Sequence, residues 1–296
     1  MSLSVPVSLL RHHGPNIYGM FSHGLRSALP LPRPATVETP TPPLEREVPA
    51  PPAALVRAYA EWTGAPPERY AEGLPPHLFS YWGMALIAEL TALAPYNLLS
   101  VLNQGCRVQT RKLLPIGEAI QLRGHLADVA DDGRRVRIET QLQAGSASVP
   151  DAQCMTVMAA VPRKGAAPRK SGDKHDEPTF ETVGRWSASR DDGLNFALLT
   201  GDFNPIHTFW PLARRTRYRG CILHGFGFLS RSYETVLNAG LTIAEFDLRY
   251  VKPLALPATD LAVQISPASN GQRALRLRAP DGSVHLAGHF REQAAS

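Results

Sequence analysis

The stretch "KPLALPATDLAVQI" (residues 252–265), with the segment "SNGQRALRLRAP" (269–280) that follows it, decides the fold. Apolar residues alternate with polar ones along both, which is typical of strands that cover a core with one face. A Leu-Pro step opens the first strand, and an Asn-Gly pair, which favours a tight hairpin turn, precedes the second. We therefore predict two antiparallel strands in this part of the chain.

The same succession occurs about 140 residues earlier in the chain. There "RKLLPIGEAIQLRG" (111–124) again enters through Leu-Pro, and "DDGRRVRIETQLQA" (131–144) again starts with a turn that contains glycine. Pro115 and Gly133 thus correspond to Pro257 and Gly271. Matching turn chemistry in one order, twice, indicates an internal duplication.

Each copy also has an apolar helix candidate ahead of its strands. The first is "LFSYWGMALIAELTAL" (78–93), stopped by Pro95, and the second is "HGFGFLSRSYETVLNAG" (224–240). Gly240 suits the position beyond a helix C-cap, where a left-handed backbone is common. A long helix followed by antiparallel strands, twice over, predicts an α+β fold in which a sheet wraps around the helices.

The domain organisation follows from two breaks in composition. Residues 29–52 are rich in proline, which favours extended backbone, and residues 163–178 are charged and polar. We predict a tail rather than a packed element before the first domain. The predicted units are a Pro-rich N-terminal tail (1–52), a first domain (53–163), a linker (164–179) and a second domain (180–296).

Composition narrows the function classes. The chain has 296 residues, 44% of them hydrophobic, and a net charge of +5, which suits anionic ligands but lacks the dense basic pattern of a nucleic-acid binder. No apolar run reaches the ~20 residues needed to cross a bilayer. The three cysteines are far apart, which favours a reduced, cytoplasmic protein. No zinc-finger or Cys-x-x-Cys spacing is present, and we expect no metal site.

The segment "GDFNPIH" (201–207) carries the most informative polar residues. Asn204 followed by Pro205 is a good helix start, so the plain interpretation is a capped loop. The alternative is that Asp202 and His207, on either side of a stiff proline turn, share one water and exchange protons with it. Spacing alone leaves both interpretations open.

A second landmark, His224-Gly225, lies where the second apolar helix begins. A helix N-terminus presents unpaired N–H groups and a partial positive charge. The Gly225 N–H, with no side chain in the way, is suited to polarise a thioester carbonyl and to stabilise the enolate that develops.

These residues carry a family resemblance. "FALLTGDFNPIHTFWPLA" (196–213) resembles the signature of the MaoC-like, R-specific enoyl-CoA hydratases, and the His-Gly of "ILHG" and the segment "RYVKPLALPATDL" continue it. The resemblance covers roughly Phe180 to the C-terminus. The first segment has no Asp-x-Asn-Pro-x-His and resembles the degenerate half of a double hot-dog.

The resemblance implies a double hot-dog fold and the reversible syn addition of water to trans-2-enoyl thioesters in fatty-acid metabolism, giving (R)-3-hydroxyacyl thioesters. By the motif match, Asp202 and His207 are the acid–base pair, Asn204 orients them, and Gly225 supplies the oxyanion N–H. No metal or redox cofactor is implied. The partner is an acyl-CoA or acyl-carrier-protein thioester, with no nucleic acid and no membrane. A self-sufficient chain and a homodimer both remain open.

Flanking residues have two interpretations each. Phe209 and Trp210 either wall the acyl pocket or pack the loop. Arg217 and Arg219, in the cluster "ARRTRYRG" (213–220), either face solvent or pair with phosphates of coenzyme A or of a phosphopantetheine carrier. His77, near the start of the first helix, is expected to be structural.

Two other functions are open to the same fold. A hot-dog acyl thioesterase requires a carboxylate on the helix itself, and Glu234, well after the helix start, fits that requirement poorly. A non-catalytic acyl-thioester-binding subunit has no use for an intact acid–base pair.

Overall fold

The two predicted hairpins belong to one ten-stranded antiparallel sheet. In the computed structural model, the described residues are 4–14, 17–19, 22, 36–97, 100–163 and 178–293. The strands are β1 (Leu44–Val48), β2 (Leu102–Thr110), β3 (Ile120–Asp131), β4 (Arg135–Gly145), β5 (Gln153–Pro162), β6 (Glu181–Ala188), β7 (Ile222–Leu223), β8 (Glu245–Tyr250), β9 (Leu254–Ala255), β10 (Ala258–Ile265), β11 (Gln272–Arg278) and β12 (Val284–Arg291). The α-helices are α1 (Ala53–Thr63), α2 (Phe79–Trp82), α3 (Met84–Thr91), α4 (Asp192–Thr200), α5 (Pro205–Thr208), α6 (Trp210–Ala213) and α7 (Gly225–Asn238).

The strand order has an approximate two-fold symmetry. The order is β1-β3-β4-β5-β2-β8-β12-β11-β10-β6, and β7 pairs with β9 separately. The two halves meet at the antiparallel pair β2–β8, where Cys106 lies opposite Leu248. Counting outward from that pair, each strand of one half has a counterpart in the other. The arrangement agrees with the predicted duplication, and the prediction of an α+β fold is confirmed.

The predicted turns adopt the conformations that their residues favour. Gly133, between β3 and β4, has a φ of 77°, and Asn270 and Gly271, between β10 and β11, have φ values of 51° and 71°. Left-handed backbone at these places is accessible to glycine and tolerated by asparagine. The hairpins therefore form where the Asp-Gly and Asn-Gly steps predict them.

Both predicted helices are present and pack inside the sheet. Hydrogen bonds run through Gly83, from Gly83 N to Phe79 O (2.8 Å) and from Ile87 N to Gly83 O (3.0 Å), so α2 and α3 are nearly continuous. Helix α7 is followed by Gly240 at a φ of 85°, as expected. The helices meet at Phe79 and Phe226, whose rings lie edge to face with centroids 5.0 Å apart. One hydrophobic core includes residues of both halves.

The prediction that residues 1–52 hold no packed element is wrong in two places. Leu44–Val48 forms β1, which pairs with β3 at the sheet edge. The prolines lie on either side of this stretch, so each of its residues keeps the N–H that a ladder requires. Nearer the N-terminus, Val5 and Leu9 are buried in the core, and His13 Nε2 lies 2.6 Å from Leu198 O.

The remaining domain boundaries stay predictions. Most of the predicted linker, residues 164–177, lies outside the described residues. No helix in the described part of the chain is long and apolar enough to cross a membrane.

Candidate active site

The loop after α4 holds the first of the predicted site residues. Helix α4 ends at Gly201, whose φ of 83° redirects the chain toward Asp202. Asn204 caps α5, since its Oδ1 accepts a hydrogen bond from Ile206 N at 3.3 Å, and Pro205 takes the first helical position. The Asn204 N–H donates to Asp202 Oδ1 at 3.2 Å. The capping interpretation is thus confirmed for Asn204, and it leaves the neighbouring carboxylate and imidazole available for chemistry.

The His207 ring has a fixed tautomer. Its Nδ1 lies 2.8 Å from the carbonyl oxygen of Ile222. A carbonyl only accepts, so Nδ1 carries the hydrogen, and Nε2 of the neutral ring is the nitrogen that can take up a proton. The His207 main chain lies close to α4, because a Cβ on Gly193 would be 2.0 Å from the His207 oxygen. Glycine at this position allows α5 to approach α4.

His224 ties the start of α7 to the loop. Its Nε2 donates to the main-chain oxygen of Asp202 at 2.9 Å and lies 3.8 Å from Asp202 Oδ2. The His224 ring stacks on His207 with centroids 3.8 Å apart and 28° between the planes. The His224 ring also contacts the Phe196 ring, with the two centroids 4.9 Å apart. Sequence reasoning treats His224 only as a landmark beside Gly225 and misses this role.

Burial keeps both histidines neutral at pH 7. Desolvation lowers the pKa of His224 well below its ordinary 6.5, and the neighbouring His207 lowers it further. Desolvation also lowers the pKa of His207, while the charge of Asp202 and the hydrogen bond to Ile222 partly oppose that change. Asp202 and His207 both contact His224, the carboxylate at 3.8 Å from its Nε2 and the imidazole by stacking on its ring. The structure brings together the carboxylate and the imidazole that the sequence singles out.

Gly225 begins α7 directly beside these groups. No side chain caps this helix, so the N–H groups of its first turn are not satisfied by a cap. The Tyr250 ring lies against Gly225, where a Cβ would be 2.4 Å from Tyr250 Cε2. A larger residue at 225 would displace this ring or the helix start. The Tyr250 hydroxyl is buried close to Cys106.

Comparison with known proteins gives a family match. Residues 171–272 match the family model described as the MaoC like domain. The matched region, here called the MaoC-like domain, lies in the C-terminal half of the chain. Comparison with curated proteins gives no match.

Solved structures resemble most of the chain. HtdX of Mycobacterium tuberculosis has a TM-score of 0.68 at 19% identity, covering 85% of this chain and 100% of its own. A MaoC-like dehydratase from Phytophthora capsici has a TM-score of 0.65 at 14% identity, covering 86% and 97%. An acyl-ACP thioesterase from Bacteroides thetaiotaomicron has a TM-score of 0.54 at 10% identity, covering 85% and 98%. These likenesses confirm the hot-dog fold.

The predicted substrate-binding residues of the MaoC-like domain lie at its surface. Phe209 and Trp210 are 57% and 52% exposed, and the Arg214 guanidinium lies 5.0 Å from the Trp210 ring centroid. Arg217 is exposed and donates to the Tyr218 hydroxyl at 2.7 Å. Arg219 is also exposed. Their predicted roles, as an acyl-pocket wall and as phosphate ligands, stay predictions.

A buried ion-pair network connects the MaoC-like domain to the N-terminal half. The Glu234 and His77 side chains are both 0% exposed, and Glu234 Oε1 lies 2.8 Å from His77 Nε2. Tyr70 donates to Glu234 Oε1 at 2.5 Å, and Arg69 pairs with Oε2. Burial raises the pKa of Glu234, but the hydrogen bond and charge of His77, with Tyr70 and Arg69, outweigh it and lower this pKa. His77 makes the structural contacts expected of it.

The start of α2 in the N-terminal half corresponds to the start of α7, but it carries different residues. His77 precedes α2 as His224 precedes α7, and the buried Leu78 stands where Gly225 stands. Residues 64–76 connect α1 to His77, whereas the longer segment 201–223 connects α4 to His224. The shorter connection has no counterpart of the Asp-x-Asn-Pro-x-His motif.

Proposed function

We propose that the MaoC-like domain catalyses the reversible syn hydration of trans-2-enoyl thioesters to (R)-3-hydroxyacyl thioesters, within fatty-acyl metabolism. The observation that carries the proposal is the convergence of Asp202 and His207 on the N-terminus of α7. His207 stacks on His224, and His224 fixes the Asp202 main chain to the helix start. The stereochemistry and the substrate come from the family resemblance.

In this proposal, water binds between the Asp202 carboxylate and His207 Nε2. The water oxygen forms a bond to C3 of the enoyl group as one of its protons passes to the pair. The pair delivers a proton to C2, so it returns to its initial state, and dehydration is the reverse. Neutral His207 is suited to this exchange, because burial lowers its pKa. Acid–base groups of this kind contribute roughly 10²–10⁴ in rate.

Gly225 is proposed to bind the thioester oxygen through its N–H. Negative charge develops on that oxygen when C3 is attacked, and the positive end of the α7 dipole stabilises it. Loss of one such donor costs about 10²–10³ in kcat. Asn204 holds the loop between the acid and the base through its cap and its N–H bond to Asp202.

A thioesterase function has less support. The Glu234 carboxylate is fully buried and bound by His77, Tyr70 and Arg69. A carboxylate with all these partners is not free to attack a thioester or to activate water. A non-catalytic binding subunit is also disfavoured, because it gives no reason to bury an imidazole beside a carboxylate.

The other assignments extend the same proposal. The N-terminal half, which has no acid–base motif, accommodates the acyl tail, so each chain has one active site. The substrate arrives as a thioester of coenzyme A or of a carrier protein, and Arg217 and Arg219 are proposed to contribute to its binding. The three free cysteines fit a reducing cytoplasm. No cofactor takes part in the proposed reaction, because the thioester carbonyl already acidifies the α-carbon.

An enoyl-thioester absorbance assay with chiral analysis of the product tests the function. Asp202→Asn and His207→Ala are each expected to lower kcat by about 10²–10⁴. Asp128→Asn and His125→Ala, on β3 outside the site, serve as matched controls and retain wild-type rates. Release of free thiol points to the thioesterase instead, and binding without turnover points to the binding subunit. Equal activity of all four variants would refute the assigned pair.

A further inference from the structure

The loop that follows His207 begins and ends at the proposed active site. Residues 208–221 leave His207 and return to Ile222, whose carbonyl oxygen accepts the His207 Nδ1–H at 2.8 Å. Both ends of the loop therefore lie beside the imidazole. In the N-terminal half, residues 64–76 form the connection to the helix start, which is shorter than the connection 201–223 that contains this loop. The extra chain is present only on the half that carries the acid–base motif.

This loop is strongly basic. It contains Arg214, Arg215, Arg217 and Arg219, all exposed, and no Asp or Glu occurs between Asp202 and Glu234. Among the described residues, none of these four arginines forms an ion pair with a carboxylate. By contrast, the shorter connection 64–76 contains Glu68 and Glu72. The positive charge of the loop 208–221 thus has no counterpart in the corresponding connection of the N-terminal half.

The same loop exposes apolar side chains. Phe209, Trp210 and Leu212 are 57%, 52% and 44% exposed, although the neighbouring Ala213 is fully buried and anchors the segment. Exposed large apolar residues next to arginines are typical of protein interfaces, in which Trp, Phe and Arg are enriched. We define the carrier-docking surface as Phe209, Trp210, Leu212 and the four arginines.

We infer that this surface docks an acidic acyl-carrier protein that delivers the enoyl group on its phosphopantetheine arm. The inference rests on the proposed function and specifies its substrate carrier. Arginines spread along the loop fit a carboxylate-rich surface, and the apolar side chains add contact area that the phosphates of free coenzyme A do not need. A lipid surface would also attract these residues, but the attachment of both loop ends beside His207 favours the molecule that carries the substrate.

Three variants of the full chain test the inference. Arg217→Glu/Arg219→Glu reverses the charge, and Trp210→Ala removes the apolar contact. Arg134→Glu/Arg137→Glu makes the same change of charge on exposed residues of the N-terminal half. These residues are exposed, so the variants are expected to fold. Binding of fluorescently labelled bacterial holo-acyl-carrier protein, which has no acyl group, is followed by anisotropy.

The expected result is a rise in Kd of about tenfold or more for the charge-reversal variant and for Trp210→Ala, and no change for the control. Wild-type binding weakens with salt. With octenoyl substrates, the loss of kcat/KM from charge reversal is at least about tenfold larger for the carrier-bound thioester than for octenoyl-CoA. Absence of carrier binding by the wild type, or equal weakening in the control, overturns the inference.

Two further outcomes also overturn it. A higher KM for octenoyl-CoA, with carrier binding intact, assigns the arginines to coenzyme A phosphates. Sedimentation of the protein with phosphatidylglycerol–phosphatidylcholine vesicles in a Trp210-dependent way, without carrier binding, assigns the surface to lipid. A wild type that binds carrier protein but hydrates neither thioester refutes the proposed function and leaves the docking surface. A wild type that hydrates octenoyl-CoA but binds no carrier protein supports the proposed function and refutes the docking surface.

Discussion

His207 and His224 stack with their ring centroids 3.8 Å apart and their planes 28° from parallel. Each ring uses one N–H to hold a different backbone carbonyl, Ile222 for His207 and Asp202 for His224. Two imidazolium ions at this distance would repel each other strongly in a buried site. The stack therefore requires that both rings not be charged together, in agreement with the lowered pKa values.

The pH dependence of activity follows from His207. Its pKa in the folded protein lies below the ordinary 6.5, so the neutral, basic form persists at pH values where an exposed histidine is already protonated. We expect kcat/KM for an enoyl thioester to be constant down to pH 6.5 and to fall with a midpoint below that value. Initial rates between pH 4.5 and 8 at constant ionic strength provide the test. A midpoint above 6.5 would contradict the assignment of His207 as a buried base.

The pH dependence of stability has the same sign. Because the pKa values of His207 and His224 are lowered by folding, the unfolded chain binds more protons below pH 6.5. The free energy of unfolding should therefore fall as the pH drops from 6.5 through the folded-state pKa values. Urea unfolding measures the free energy of unfolding at pH 7.5 and at pH 5.5. The decrease between these two pH values is expected to be smaller for His224→Phe than for the wild type. An equal difference would place the pH sensitivity elsewhere.

His224 should be required for positioning rather than for proton transfer. His224→Phe keeps a ring to stack on His207 but leaves the Asp202 carbonyl without its donor, a loss of about 1–3 kcal/mol. We expect kcat to fall about tenfold or more with little change in KM. His224→Gln, which can still donate, should recover part of the rate. If His224→Phe has wild-type kcat, the hydrogen bond to Asp202 does not position the loop.

Gly225 is the position in α7 that is least tolerant of a side chain. A Cβ there would lie 2.4 Å from the Tyr250 ring, so Gly225→Ala should shift the helix start and lower kcat by about 10²-fold. Gly227→Ala is the control, since its Cβ would lie 3.3 Å from ring atoms of Phe196 and Trp62, a much milder contact than that of Gly225. Gly225→Ala/Tyr250→Leu is expected to recover activity in part. Failure of the double variant to exceed Gly225→Ala would exclude the clash as the cause.

Much of the fold follows from local sequence, and much of the site does not. Residues 269–280 form their strand because an Asn-Gly turn and an alternating pattern act within a few residues. The Asn204 cap is equally local. The stack of His207 on His224 depends on a loop that leaves and returns to the same place. The sequence motifs identify both histidines, but they do not predict that the two rings are in contact.

The predicted tail illustrates the limit in another way. Proline content correctly describes the surroundings of β1, but Leu44–Val48 becomes a strand because β3 offers it a ladder partner. The pairing of His77 with Glu234 joins residues 157 positions apart. Neither residue has a sequence pattern that identifies the other, so the network becomes apparent only in the tertiary structure.

The Glu234 network should dominate the stability of the contact between the two halves. Glu234→Ala leaves buried His77 and partly buried Arg69 without their carboxylate, and removal of one partner from a buried ion pair costs about 3–5 kcal/mol. Glu89→Ala is the matched control, because its pair with Arg46 is partly exposed, with 28% of the Glu89 side chain accessible. Exposed pairs of this kind contribute about 0–1 kcal/mol. Urea unfolding at pH 7 measures both free energies, and a cost for Glu234→Ala no larger than that for Glu89→Ala would mean that the buried network contributes no net stability.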